Sequence, residues 1–228
     1  DVDNGATQAW SITASTDTHG SFSVDPATGE WTYELDNTTA DSLKEGEIVT
    51  ETYTVQVTDD QGGTATQTVT VTVKGTNDAP LIDVNSDTTG AVTESGLAGA
   101  GTPSVSGVMA ASDADADAEQ TWTISSDNST TVYGDLTIEP DTGKWTYTLD
   151  NTLAATQALN NGESATQNYT IRVTDDFGAY ADQDIEITIT GTNDAAVVSS
   201  ANEVLIEADV PLSASGTLIS TDVDNVDN

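Results

Sequence analysis

The sequence predicts an all-β chain of tandem Greek-key β-sandwiches, immunoglobulin-like or cadherin-like, in an elongated array. Three observations carry this. The phrase Gly75-Thr76-Asn77-Asp78-Ala79-Pro80 returns as Gly191-Thr192-Asn193-Asp194-Ala195-Ala196, an offset of 116 residues (191 − 75). Between the two phrases, apolar residues alternate with threonine and other polar residues at period 2, the pattern of half-buried strands. Turn signals separate these runs, and about seven short strands per copy with such turns make a two-sheet sandwich.

Taken in order, the first copy opens its strands with Gln8-Ala9-Trp10-Ser11-Ile12, matched by Gln120-Thr121-Trp122-Thr123-Ile124. A hairpin turn follows at Asp25-Pro26-Ala27-Thr28-Gly29, matched by Glu139-Pro140-Asp141-Thr142-Gly143. Proline pre-sets the first bend and glycine accepts positive φ. Trp31, Tyr33 and Leu35 then alternate with Thr32 and Glu34, as Trp145, Tyr147 and Leu149 do in the second copy. Residues 39–44 and 153–159 read as a single helical turn. Tyr53-Thr54-Val55-Gln56-Val57-Thr58-Asp59-Asp60 and its counterpart, residues 169–176, lead into glycine turns at Gly62-Gly63 and Gly178. The last strands show Val69, Val71 and Val73 in one copy and Ile185, Ile187 and Ile189 in the other. The four tryptophans, two per copy, are expected in the cores, with sugar stacking as the alternative.

Each copy is far longer than a solenoid unit and long enough for its own core. Residues 1–78 form a repeat without its N-terminal strands, 79–194 a complete repeat, and 195–228 the first strands of a third. The segment 197–221 resembles 82–112, with Glu207 standing where Glu94 stands. Two explanations are open for the first copy. Its first strands lie on preceding chain, or residues 197–228 of another molecule supply them by strand donation, a head-to-tail contact that builds a filament.

The chain has 228 residues with 4 basic and 39 acidic, a formal net charge of −35. Phosphate recognition needs Lys and Arg, so nucleic acid is excluded as a partner, and an anionic membrane surface repels such a chain. There is no cysteine, so any extracellular copy is stabilised without disulfides. No run of about 18 apolar residues is present, so no membrane insertion is expected in this segment. The N-terminus does not read as a signal peptide. The 36% apolar content and strong strand patterns oppose the disorder that high acidity can signal.

Carboxylates recur at matching places. Asp1 with Asp3, Asp113 with Asp115 and Asp117, and Asp222 with Asp224 form D-x-D loops. Asp59-Asp60 and Asp175-Asp176 end a strand before a glycine turn, and Asn77-Asp78 and Asn193-Asp194 mark the seams. Glu94 and Glu207 sit in the first strand region. Such a set suits Ca²⁺, which takes six to eight oxygens. Aspartate also favours turns for its own sake. Mg²⁺ keeps more water and fits less well. Zinc is disfavoured, with no cysteine and one histidine, His19, expected at the surface. No nucleophile motif or phosphate loop is present, and carboxylates repeated at every seam suit scaffolding better than a glycosidase cleft. No enzyme activity is expected.

Val-Thr-Asp-Asp, a strand, then Gly-Thr-Asn-Asp-Ala-Pro resembles the VCBS repeats of large bacterial surface proteins, and Thr93-Glu94-Ser95 with the Asp-rich loop after it also fits. The resemblance covers essentially the whole chain. It implies cadherin-like extender domains of exported adhesins, with calcium rigidifying the joints and neighbouring repeats as partners. It implies one joint made from Asp59, Asp60, Asn77, Asp78, Asp113 and Asp115, and a second from Glu94, Asp175, Asp176, Asn193, Asp194, Asp222 and Asp224. The second seam has Ala196 where the first has Pro80, and it loses the ring that stiffens the exit. The expected function is an extracellular stalk or fibre segment at the bacterial surface. The alternatives are a self-assembling filament or sheath and a carbohydrate- or surface-binding module.

Overall fold

The structure, a computed structural model, describes residues 7–129, 132–207, 209 and 212–224. Among these, strands dominate, and the helices are two single turns. In the first repeat β1 (Gln8–Ser15), β4 (Ile48–Asp59) and β5 (Thr64–Lys74) form one antiparallel sheet in the order β1-β4-β5. β2 (Gly20–Val24) and β3 (Trp31–Leu35) form a second, and α1 (Asn37–Ala40) follows β3. The β2–β3 turn is closed by Asp25, whose Oδ1 accepts from the backbone N–H groups of Ala27 and Thr28, both at 2.8 Å. Gly29 takes φ +74 there, as the turn requires.

β6 (Leu81–Ile82) pairs with β9 (Ala111–Ser112), and β7 (Thr89–Thr93) and β8 (Ser104–Val108) lie between them in sequence. β10 (Gln120–Asp127), β11 (Gly134–Ile138), β12 (Lys144–Leu149), α2 (Ala154–Gln157), β13 (Ser164–Asp175) and β14 (Tyr180–Thr190) repeat the order of the first copy. The sheets are now larger, β10-β13-β14-β7 and β11-β12-β8. β7 joins β14 in parallel, with Ile187 opposite Gly90 and Ile189 opposite Val92. β8 joins β12 antiparallel, with Trp145 opposite Gly107. β15 (Val197–Val198) pairs with β16 (Ser220–Thr221) in the manner of β6 and β9.

The predicted alternation decides which side chains enter the core. Ile185, Ile187 and Ile189 are fully buried, as are Trp145, Tyr147, Ile171 and Val173. Burial of each such side chain is worth about 1.5–3 kcal/mol. Gly107 and Gly90 are small because Trp145 needs their space. A Cβ on Gly107 would come within 2.5 Å of the indole, and one on Gly90 within 3.1 Å. The indole N–H donates to the Asp87 carbonyl at 2.9 Å.

The expectation of four core tryptophans needs correction. Trp145 and Trp122 are buried, but Trp31 is 49% exposed and Trp10 half-buried. Among the described residues the first repeat has no counterpart of β7 or β8, the strands that cover Trp145. Val69 and Val71 are half-buried, where the matching isoleucines are sealed. By contact, the chain divides into two compact units, one of residues 1–81, 112–120 and 174–181, the other of residues 82–111, 121–173 and 182–228.

Candidate metal centre

The seam Asn77-Asp78, the loop 113–117 and Asp175 all belong to the first unit. The Asp78 backbone N–H donates to Asp115 Oδ2 at 2.9 Å, and the Asp115 N–H donates to Asp113 Oδ1 at 3.1 Å. The Asn77 amide donates to the Asp78 carbonyl at 2.8 Å and to Asp175 Oδ2 at 3.0 Å. The loop is seated by the Ala116 N–H on the Ser42 carbonyl at 3.1 Å, and the seam by the Asn77 N–H on Glu45 at 3.1 Å. Asp117 is exposed, adopts φ +55 and stands 4.0 Å from the Lys44 ammonium.

The second unit repeats this clasp. The Asp194 N–H donates to Asp224 Oδ2 at 3.0 Å, the Asp224 N–H to Asp222 Oδ1 at 3.1 Å, and the Asn193 amide to the Asp194 carbonyl. Glu94 joins it, fully buried. Its Oε2 accepts from the Thr192 N–H at 3.1 Å and its Oε1 from the Gln157 amide at 2.9 Å. In the first unit the residue matching Gln157 is Asp41. Asp41 and Asp78 both line a small cavity of about 110 Å³ at the end of β5.

Each clasp leaves oxygens without donors. Asn77 Oδ1, Asp113 Oδ2 and Asp115 Oδ1 are buried and unpaired in the first, and Asp194 Oδ2 and Asp224 Oδ1 in the second. Buried acceptors normally find partners, so these five oxygens are left in want of positive charge or a donor. The electrostatics agree. Burial, then the charges of Asp115, Asp41 and Asp113, push the Asp78 carboxyl up. Burial, then Asp224 and Asp222, do the same to Asp194. Glu94 is raised by burial and by Asp194 and Asp224, against the bonds from Thr192 and Gln157. For Asp175, burial pushes up, but the bonds from Asn77 and from the Phe177, Ala179 and Gly178 N–H groups outweigh it, and the carboxyl is held low.

The oxygens are hard and anionic, the type Ca²⁺ takes. Among the described residues no three acidic or histidine side chains are gathered closely enough to hold an ion as they stand. Like charges resist closer convergence, and a bound proton or a bound cation relieves the repulsion.

Other expected ligands fall elsewhere. Asp175 stands with the first seam, not the second. Asp59, its counterpart in the first repeat, closes its own turn, with Oδ1 accepting from Gln61 N–H at 2.9 Å and Gly63 N–H at 2.7 Å. Asp60 and Asp176 are exposed, and so is Glu207. Asp1 and Asp3 lie outside the described residues. His19, expected at the surface, is buried against Glu51. That contact went unpredicted, although aligning Glu51-Thr52-Tyr53 with Gln167-Asn168-Tyr169 flags the position.

The bacterial cadherin-like domain matches residues 1–75 and, a second time, residues 77–191. The chain belongs to the bacterial cadherin-like domain family. Cadherin-like domains are structural and adhesion modules. No curated protein matches the chain. Among solved structures, human CDH23 EC21-23 is 18% identical over 96% of this chain and 69% of that one, with a TM-score of 0.52. Mouse Cadherin-23 EC22-24 is 14% identical over 85% of this chain and 57% of that one, with a TM-score of 0.45. At such identities the first shows the fold alone, and the cadherin-like sandwich agrees with the sheets described above.

Proposed function

We propose that this chain is an extender segment of a bacterial extracellular adhesin, of the VCBS type its seam phrase resembles, and that Ca²⁺ stiffens it at the seams. The observation that carries the reading is the repeated clasp. Two seams 116 residues apart (193 − 77) make the same backbone bonds to a D-x-D loop, and in each the second Asp of that loop, Asp115 or Asp224, keeps an unpaired buried oxygen.

At the first seam Asn77, Asp78, Asp113, Asp115 and Asp175 are the ligands. At the second they are Glu94, Asn193, Asp194, Asp222 and Asp224. A bound cation supplies positive charge that cancels the repulsion within each set. The chain's own residues do the rest. The D-x-D loop is hydrogen-bonded to the seam amide, so an ion held by both fastens the last strand of one repeat to a loop of the next. An extracellular setting fits the bacterial cadherin-like domain family to which the chain belongs. Among the described residues no helix is long and apolar enough to cross a membrane.

The test is small-angle scattering and thermal melting of the chain in CaCl₂ and in EDTA. Chelation is expected to shorten or bend the particle and to lower its melting temperature. Identical curves in both buffers would remove calcium from the reading.

A further inference from the structure

The two repeats share a buried polar hub between their sheets, built around different atoms. In the first repeat the hub is Glu51, 1% exposed. Its Oε1 accepts from the Thr18 N–H at 3.1 Å and the His19 N–H at 2.6 Å, with His19 Nδ1 at 3.3 Å. Its Oε2 accepts from the hydroxyls of Tyr33 at 3.1 Å and Tyr53 at 2.6 Å. In the second repeat the hub is Gln167, fully buried. Its Oε1 accepts from the Tyr133 N–H at 3.0 Å and the Tyr147 hydroxyl at 2.9 Å. Its amide N–H₂ donates to the Tyr169 hydroxyl at 2.6 Å, the Gly134 carbonyl at 3.2 Å and Asp127 at 3.3 Å.

Tyr33 matches Tyr147, Tyr53 matches Tyr169, and His19 matches Tyr133. The exchange of Glu for Gln therefore reverses the demand on one half of the hub. Around its central group the first repeat sets two backbone N–H groups, two hydroxyls and the His19 ring. The second offers acceptors to half of it.

From this geometry we propose that Glu51 makes the first repeat acid-sensitive, a property the amide of Gln167 withholds from the second, so that acid loosens one repeat of the array ahead of its neighbour. The reason is the proton. A protonated Glu51 carries an O–H into a ring of two backbone N–H groups and two hydroxyls, and one of its oxygens stops being a full acceptor. Buried polar groups left in that condition are costly.

The titratable groups facing Glu51 are His19 from the loop after β1, Tyr33 from β3, and Tyr53 beside it on β4. Asp17 acts on both tyrosines. Burial pushes the Glu51 carboxyl up, but the bonds from Tyr53, His19, Thr18 and Tyr33 outweigh it and hold it below its ordinary value of 4.5. A depressed carboxylate stabilises the fold fully above its ordinary value and loses that contribution as pH falls through the depressed one. The tyrosines titrate far above this window, Tyr33 at about 12.

The experiment follows resolved amide resonances of both repeats from pH 7 to pH 3 in calcium-free buffer, in the whole chain. The first repeat is expected to lose its native resonances at higher pH than the second. Glu51→Gln is isosteric, does not titrate, and mimics the protonated side chain. It is expected to lower the first repeat's stability at neutral pH and to flatten its further loss on acidification, leaving the second repeat's acid transition unchanged. The complementary Gln167→Glu puts a carboxylate against the Gly134 carbonyl and Asp127. It is expected to weaken the second repeat at neutral pH and to recover on acidification, the opposite slope. A first repeat whose loss on acidification is as steep in Glu51→Gln as in the parent, or a Gln167→Glu defect that acid worsens, overturns the proposal. If Glu51→Gln fails to fold, the Gln167→Glu slope decides alone.

Discussion

Replacing Asp115 by Asn should change stability in opposite directions with and without calcium. Asp115 is 5% exposed, with Oδ2 on the Asp78 N–H and Oδ1 unpaired. The Asn carbonyl keeps the bond to Asp78. Its N–H₂ replaces the oxygen that had no donor, in a clasp where Asp113 Oδ2 and Asn77 Oδ1 also lack one. An unsatisfied buried acceptor costs about 1–3 kcal/mol, and one charge fewer beside Asp78 and Asp113 relieves about 1 kcal/mol more after solvent screening. Without calcium Asp115→Asn is therefore expected to stabilise by about 1–2 kcal/mol, allowing for imperfect geometry.

With calcium at a hundred times its dissociation constant, binding contributes about 2.7 kcal/mol to the parent. A ligand loss that weakens binding a hundredfold leaves the variant only about 0.4 kcal/mol of that gain. The order then reverses, and the variant becomes the less stable by about 1 kcal/mol. Urea denaturation in EDTA and in calcium, followed by tryptophan fluorescence, reads both arms. An effect of the same sign and size in both buffers refutes the reasoning.

Two further predictions concern the sandwich. Gly107→Ala puts a methyl into the Trp145 ring and should destabilise the second repeat by about 1–3 kcal/mol, measured by denaturation, with calcium affinity by titration calorimetry unchanged. Arg172→Ala removes the bidentate pair with Asp182, bonded at 2.7 and 2.8 Å. Both partners are about one-third exposed, so at neutral pH the cost should stay under about 1 kcal/mol. The bonds from Arg172 hold the Asp182 carboxyl below its ordinary value of 3.8. The contribution is thus full above that value and lost as pH falls through the lowered one, so parent and variant melting curves should converge in strong acid.

The strands were legible because their signal is local. Trp145, Tyr147 and Leu149 alternate within six residues, and a half-buried sheet needs nothing more to choose a face. The seam and the D-x-D loops were legible because they recur. Asp115 and Asp224 indeed hold the seam amides.

What the sequence by itself determined is the strand pattern, the repeat and the kind of atom gathered at each seam. All three follow from short-range spacing and residue chemistry. Tertiary structure alone decided three other matters. Asp175 meets Asn77, 98 residues earlier, because strand order places that turn, while Asp59 stays in its own turn. His19 is buried because Glu51, 32 residues later in sequence, needs its backbone N–H. Trp31 is exposed and Trp145 sealed, although their flanking residues match, because only β7 and β8 cover such an indole. Local pattern says which face of a strand is apolar. What lies against that face depends on contacts between distant segments, and only the folded chain brings them together.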